Sequence, residues 1–307
     1  MTTGSCGLIL GTLSLLAVSL RAALSGGAHN ASPAALSCAQ LSALSIFSHR
    51  GLSGEGNDSP AAAIPTEESL VALHRRGVSH FDMDLFFTEE PVQYVAHPDA
   101  LAKVLGVPSV ADLSSRQLSR AVGAASPGRQ LLRVTRLLDL ALERNLTLAL
   151  DLKGAGCAAF RRELEWLGQQ LLQRRLERRV SVWVEQPAMA RRMPPALRLG
   201  KPLRDVNAPR RAADGAPECA AQLEARAARL YAFVGPSRKC ANRHLLGANV
   251  AETAAWRQRP RGFLVWVVDA PAELWELAAA GVDQIISNVP VRMMEALQEA
   301  RRQKACT

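Results

Sequence analysis

The stretch HFDMDLFF, residues 80–87, reads as a strand. Side chains alternate between the two faces of an extended chain, so Asp82 and Asp84 project to one side together. The stretch LTLALDLKG at 146–154 repeats the arrangement with Asp151 and Lys153. Carboxylates aimed into a protein interior do not stay ionised without a partner, because desolvation costs several kcal/mol per ion. Two such strands in succession predict one shared polar site on the inner side of a sheet.

Outward from these strands, further short apolar runs lie at 44–48, 180–185, 230–234, 263–268 and 284–287, with a poorly marked one in 197–206 where Arg, Pro and Gly interrupt the pattern. Stretches with apolar residues at three- and four-residue steps alternate with them, at 67–76, 133–144, 158–176, 219–228, 251–257 and 272–280. Alternation of this kind predicts a parallel sheet covered by helices. About eight units are countable, which favours a closed (β/α)8 TIM-type barrel in a single domain over an open doubly wound sheet. At 307 residues the chain accommodates such a barrel, which takes about 250 residues.

Residues 44–300 are assigned to the barrel, 26–43 to a linker of small residues, and 301–307 to a basic tail. The apolar run GLILGTLSLLAVSL at 7–20 carries no charge. It is short for a bilayer span and suits the core of a signal peptide occupying 1–25, with an uncleaved anchor as the alternative. A secreted or endomembrane-lumenal protein is therefore expected. Asn30, Asn57 and Asn145 stand in glycosylation sequons. Six cysteines, at 6, 38, 157, 219, 240 and 306, show no C-x-x-C spacing, which argues against a zinc site.

The formal charge of +9 suits an anionic substrate or an anionic membrane surface. Aromatic residues make up only 5% and do not interleave with the basic ones, so nucleic acid is not the expected partner. His49 and Arg50 follow the apolar run ending at Ser48, at the C-terminal end of the first strand, the end at which barrels carry chemistry. Three converging carboxylates, Asp82, Asp84 and Asp151, predict a hard divalent cation with oxygen ligands, Mg2+ or Ca2+. The bland reading of any single Asp is pairing with Lys153 or an arginine. His74 reads as a surface residue, His80 as the opening of a strand, and Ser287 and Asn288 as the close of the last strand.

Several segments together resemble the glycerophosphodiester phosphodiesterases. FSHRGLSG at 47–54 is similar to that family's His-Arg-Gly strand, TEESL at 66–70 to its Glu-Asn-Thr-Leu stretch, and HFDMDL to its Glu-x-Asp strand. VQYVAHPDAL at 92–101 resembles the segment with the second histidine, LALDLKG the Glu-x-Lys strand, and 263–290 the final Trp strand, helix and Gly-Val-Asp strand. The departures are Asp82 and Asp151 where the family has Glu, and Pro98 between His97 and Asp99. The segments Asp151-Leu152-Lys153, Trp266 to Asp269 and Ser287-Asn288 also resemble the spider-type sphingomyelinase D phospholipases.

The resemblance implies a phosphoric diester hydrolase acting on glycerophosphodiesters or (lyso)phospholipids. It implies His49 and His97 as acid and base, a metal on Asp82, Asp84 and Asp151, and Arg50 and Lys153 on the phosphoryl oxygens. Glu67 would orient the metal's ligands or a histidine, and Trp266 would stand just outside the reacting groups. The implied nucleophile is a neighbouring hydroxyl of the substrate, giving a cyclic phosphate. A sphingomyelinase D-like or phosphatidylinositol phospholipase C-like lyase, or an inactive barrel kept for binding, remain the alternatives.

Overall fold

The computed structural model describes residues 32–51, 64–88, 93–153, 157–184, 190–191, 193–203, 233–236 and 263–306. The helices expected at 219–228 and 251–257, the apolar run at 7–20, and Asn30 and Asn57 lie outside the described residues.

Nine strands are present among them: β1 (Ser45–His49), β2 (His80–Phe87), β3 (Gln93–Val95), β4 (Thr147–Leu152), β5 (Val180–Trp183), β6 (Arg198–Leu203), β7 (Phe233–Pro236), β8 (Leu264–Trp266) and β9 (Gln284–Ser287). Eight pair in parallel in the order β7-β6-β5-β4-β2-β1-β9-β8, while β3 runs antiparallel to β2. The two ends of the run, β7 and β8, lie beside each other, so the sheet curls round into the expected TIM-type barrel. β6 forms despite its RLGKPL sequence because β5 and β7 pair with it on either side.

The helices are α1 (Cys38–Ala43), α2 (Glu67–Arg75), α3 (Pro98–Leu105), α4 (Ser115–Ala125), α5 (Val134–Glu143), α6 (Cys157–Gln173), α7 (Pro271–Ala279) and α8 (Pro290–Gln303). Capping boxes start α1 at Ser37, α2 at Thr66 and α4 at Ser114, each side-chain oxygen accepting from a backbone N–H of the first turn.

Alternation along β2 explains the layers. Phe81, Met83, Leu85 and Phe87 point outward into the helical shell, packing with Leu70 and Leu73 of α2 and Leu137 and Leu138 of α5. Full burial of each such side chain is worth roughly 1.5–3 kcal/mol. The opposite parity faces the barrel axis, where Phe47, Ala149, Trp183, Leu264 and Ile286 from five strands fill the interior. The next inward position towards the C-terminal rim is polar on three of these strands: His49 follows Phe47, Asp151 follows Ala149, and Asn288 follows Ile286. A dry plug thus floors a polar rim.

Two boundaries differ from the sequence pattern. Residues 38–43, assigned to the linker, form α1, and 301–303, assigned to the tail, finish α8. The six residues of this first segment are too few to display helical periodicity. It is held from outside: Arg301 donates to the carbonyls of Leu41, Ser42 and Leu44, and Cys38 is disulfide-bonded to Cys306, 268 residues away. A second departure is the excursion after β2, where β3, α3 and α4 pack through Phe86, Tyr94, Leu101, Leu118 and Val122 into a small core of their own.

A cross-link closing so long a loop restricts the unfolded chain, which stabilises by about 2–5 kcal/mol. Reduction, or Cys38→Ala with Cys306→Ala, should lower the urea midpoint accordingly. Turnover of the folded protein should be unchanged, because the clasp sits at the N-terminal end of the barrel, away from the polar rim.

Candidate active site

One cavity of about 190 Å³ opens at the C-terminal ends of the strands and collects His49, Arg50, Asp82, Asp84, His97, Asp151, Lys153 and Trp266, together with Trp183 and Ile286. The strand register brings these groups together. His49 is paired with Asp82 across β1 and β2, Asp84 with Asp151 across β2 and β4, and Asp151 with Trp183 across β4 and β5.

The turn after β1 aims Arg50. Arg50 and Gly51 both adopt positive φ, 57° and 65°. A Cβ on Gly51 would come within 2.5 Å of Leu70, so only glycine fits there. This tight reversal folds the Arg50 guanidinium back onto Asp84, Nε to Oδ2 at 3.0 Å. Lys153 reaches the other oxygen of Asp84 at 3.1 Å and also pairs with Asp151. His97 stands just before α3, where Pro98 occupies the first turn and its missing N–H costs nothing. His97 keeps its side chain in the cavity. Its Nδ1 is shielded from solvent and has no hydrogen-bond partner among the described residues.

His49 is held by a chain of polar groups from the last two strands. Asn288 Nδ2 donates to Asp269 Oδ2 at 2.9 Å, which fixes the amide so that its Oδ1 faces His49 Nδ1 at 2.7 Å. An amide oxygen only accepts, so Nδ1 carries the proton and Nε2 of the neutral ring is left with its lone pair. Asp269 is itself held by the Asn288 backbone N–H at 2.7 Å and the Ser287 hydroxyl at 3.0 Å. Burial, the largest influence, lowers the His49 pKa from the ordinary 6.5, against the Asn288 hydrogen bond; burial also lowers that of His97.

A lowered pKa leaves His49 neutral through the neutral range. A rate that depends on its lone pair therefore climbs as pH rises through a midpoint below 6.5. Asp269 favours the imidazolium. Asp269→Asn should then move that midpoint to still lower pH, and release of the Asn288 amide should cost up to about 10²-fold in kcat through misplacement of the ring. A pH–rate profile that stays put would deny Asp269 this positioning role.

The three carboxylates are crowded. Burial first, then Asp84 and Asp151, push the Asp82 carboxyl well above the usual carboxylate range, while the Trp183 Nε1–H donated to Asp82 at 3.2 Å opposes this. Three oxygen donors and an excess of negative charge suit a hard divalent ion. As the side chains stand, no group of three metal-ligating residues is drawn together among the described residues, and the Lys153 ammonium lies between Asp84 and Asp151. Donor chemistry thus fits an ion, and Lys153 would have to yield to it.

Glu67 is the one candidate residue that the cavity does not collect. Its carboxylate takes a bidentate pair with Arg136 of α5, at 2.9 and 2.5 Å, which leaves it orienting neither a metal ligand nor a histidine. Neither Trp183 nor Asp269 takes a role from the sequence alone. The signal for each was weak: Trp183 closes an apolar strand like any core residue, and Asp269 is a lone acid before a helix.

No protein-family model and no curated protein matches this chain. Solved structures do, and they define its class of fold: the TIM-type barrel of glycerophosphodiester phosphodiesterases. The chain resembles a Silicibacter pomeroyi protein assigned as a glycerophosphoryl diester phosphodiesterase, at 22% identity and TM-score 0.62, over 83% of this chain and 93% of that one. The Thermotoga maritima glycerophosphodiester phosphodiesterase aligns at 11% identity and TM-score 0.60, over 82% and 97%. An Oleispira antarctica phosphodiesterase, solved with the product sn-glycerol-3-phosphate, aligns at 14% identity and TM-score 0.60, over 84% and 99%. At these identities what is shared is the barrel.

Proposed function

We propose that the chain is a metal-assisted phosphodiesterase that cleaves glycerophosphodiesters or related lysophospholipids by acid–base catalysis between His49 and His97. The observation that carries this reading is the unequal provision for the two histidines in one cavity. His49 is held by Asn288 as a neutral ring with a free Nε2, and the buried Nδ1 of His97 is left for a ligand to satisfy. His49 takes the proton of the attacking hydroxyl as its oxygen bonds to phosphorus. As the bond to the leaving oxygen breaks, His97 in its imidazolium form delivers a proton to it and is left as the neutral ring. With a neighbouring hydroxyl of the substrate as nucleophile, the products are a cyclic phosphate and an alcohol.

Arg50 and Lys153 bring positive charge to the phosphoryl oxygens, Arg as a planar fork and Lys as a point charge. A Mg2+ or Ca2+ ion held by Asp82, Asp84 and Asp151 would add Lewis-acid neutralisation of the phosphate. Trp183 fixes Asp82 for that role, and Trp266 walls the cavity. The cationic chain also suits contact with an anionic membrane surface.

We further propose passage through an oxidising compartment, which the Cys38–Cys306 disulfide and the apolar 7–20 run support. Asn145 is exposed in the turn before β4, where a glycan would be accommodated.

Product analysis against a panel of glycerophosphodiesters and lysophospholipids, with and without divalent metal, tests the reading. Release of an alcohol with a linear phosphate, formed by way of a cyclic one, is expected. A product that stays cyclic would assign a lyase of the phosphatidylinositol phospholipase C kind. Choline released from added sphingomyelin but from no glycerophosphodiester would point to sphingomyelinase D-like chemistry. No turnover on any substrate would leave a binding protein.

A further inference from the structure

Away from the catalytic cavity, a second and larger one of about 450 Å³ lies between α4, Tyr94 of β3 and the 128–133 segment that leads into α5. Its wall carries Arg129 and Arg133 with Ser119 and Gln130, and among the described residues no acidic one lines it. Its floor is open: Gly123 and Gly128 have no atom within 4 Å of where a Cβ would stand.

The charge around it is one-sided. From Asp112 to Asp139 the sequence contains no Asp or Glu between them and five arginines, at 116, 120, 129, 133 and 136. Other guanidinia, one of these five included, are neutralised: Arg50 by Asp84, Arg136 by Glu67 and Glu143, Arg174 by Asp139 and Arg302 by Glu299. Arg116, Arg120 and Arg133 have no carboxylate partner among the described residues. Self-repelling charge of one sign around a concave, hydroxyl- and amide-lined space is the setting in which an anion is attracted and held.

We propose that this cavity is a second ligand site, distinct from the catalytic one, that binds a phosphate group. The guanidinium of Arg133 supplies the forked contact, Arg129 adds charge, and Ser119 and Gln130 offer hydrogen bonds. The phosphate comes either from a small soluble phosphate ester or from the headgroup of an anionic lipid at a membrane surface.

Two variants test the site without touching the catalytic groups. Arg133 precedes α5 and makes no capping bond with its side chain, and an acid is favourable at a helix start. Arg133→Glu therefore reverses charge while keeping the helix. Gly123→Leu fills the open floor without changing charge and replaces a poor helix former by a good one.

The full mature chain is titrated with inorganic phosphate and with sn-glycerol 3-phosphate, following the backbone amide signals of Gly123, Gly128 and Gln130 by NMR. Saturable shifts are expected in the wild type and weakening by about tenfold or more in each variant, the effect of losing a charge-assisted contact. In parallel, co-sedimentation is measured with vesicles of phosphatidylcholine, with and without phosphatidylglycerol. Binding that depends on phosphatidylglycerol and is lost in both variants assigns the lipid source, and soluble phosphate binding alone assigns the small ester. The proposal is overturned if neither probe binds, or if Arg133→Glu and Gly123→Leu bind as the wild type does. Circular dichroism of each variant guards against reading misfolding as lost binding. A variant that fails to fold is replaced by Arg133→Gln, held to the same outcomes. Turnover at the catalytic cavity should stay within about twofold, so loss of the site and loss of the phosphodiesterase reading are separately visible.

Discussion

Replacing His49 or His97 by Asn should slow turnover by about 10²- to 10⁴-fold, the usual contribution of a positioned general acid or base. The two losses should not multiply in the double variant, because groups that act in one proton-transfer unit are strongly non-additive. A substrate with a better leaving group separates the roles. With His97 delivering the proton to the leaving oxygen, His97→Asn should recover on such a substrate while His49→Asn should not. His74 lies on α2 outside the cavity, its Nδ1 near the Val78 carbonyl, and His74→Asn is the silent control. Near-normal turnover of His97→Asn on every active substrate would remove His97 from the mechanism, whatever its place in the cavity.

Chelation should abolish activity, and Mg2+ or Ca2+ should restore it, since the donors proposed for the ion are all carboxylate oxygens. Asp82→Asn is the most informative substitution here. The buried carboxyl of Asp82 is held well above the usual range by desolvation and by Asp84 and Asp151. Its ionised form is thus disfavoured in the folded chain at any pH above the unfolded value, and an amide relieves that while its oxygen still accepts from Trp183 Nε1. The melting temperature should be unchanged or higher, yet metal affinity by calorimetry and turnover should both be lost. Full turnover in excess chelator, or an Asp82→Asn protein that binds Mg2+ like the wild type, would refute the metal reading.

Much of this molecule was legible along the chain because strand alternation is a local property. The pairs Asp82/Asp84 and Asp151/Lys153 each share a face through two-residue spacing alone, and the His49-Arg50-Gly51 turn follows one strand directly. The count of alternating units was enough for a barrel. The expectation weakened where local signal is short: α1 has six residues, and β6 carries Pro202 and Gly200 and forms because its neighbours hold it. The packed excursion of β3, α3 and α4 was likewise invisible as a unit, since its core is assembled from pieces between Ile64 and Val122.

Which atom meets which was decided only when the barrel closed. His49 finds Asn288 from 239 residues away, and its tautomer depends on Asp269 turning that amide. Asp82 meets Trp183 across 101 residues, and Glu67 swings to Arg136 across 69. Periodicity specifies the face on which a side chain stands, at a cost set within a few residues. Hydrogen-bond and ion-pair partners are specified by the curvature and register of the closed sheet, to which every strand contributes, so the same carboxylate reads alike in the sequence whether it serves the site or, like Glu67, a helix pair beside it.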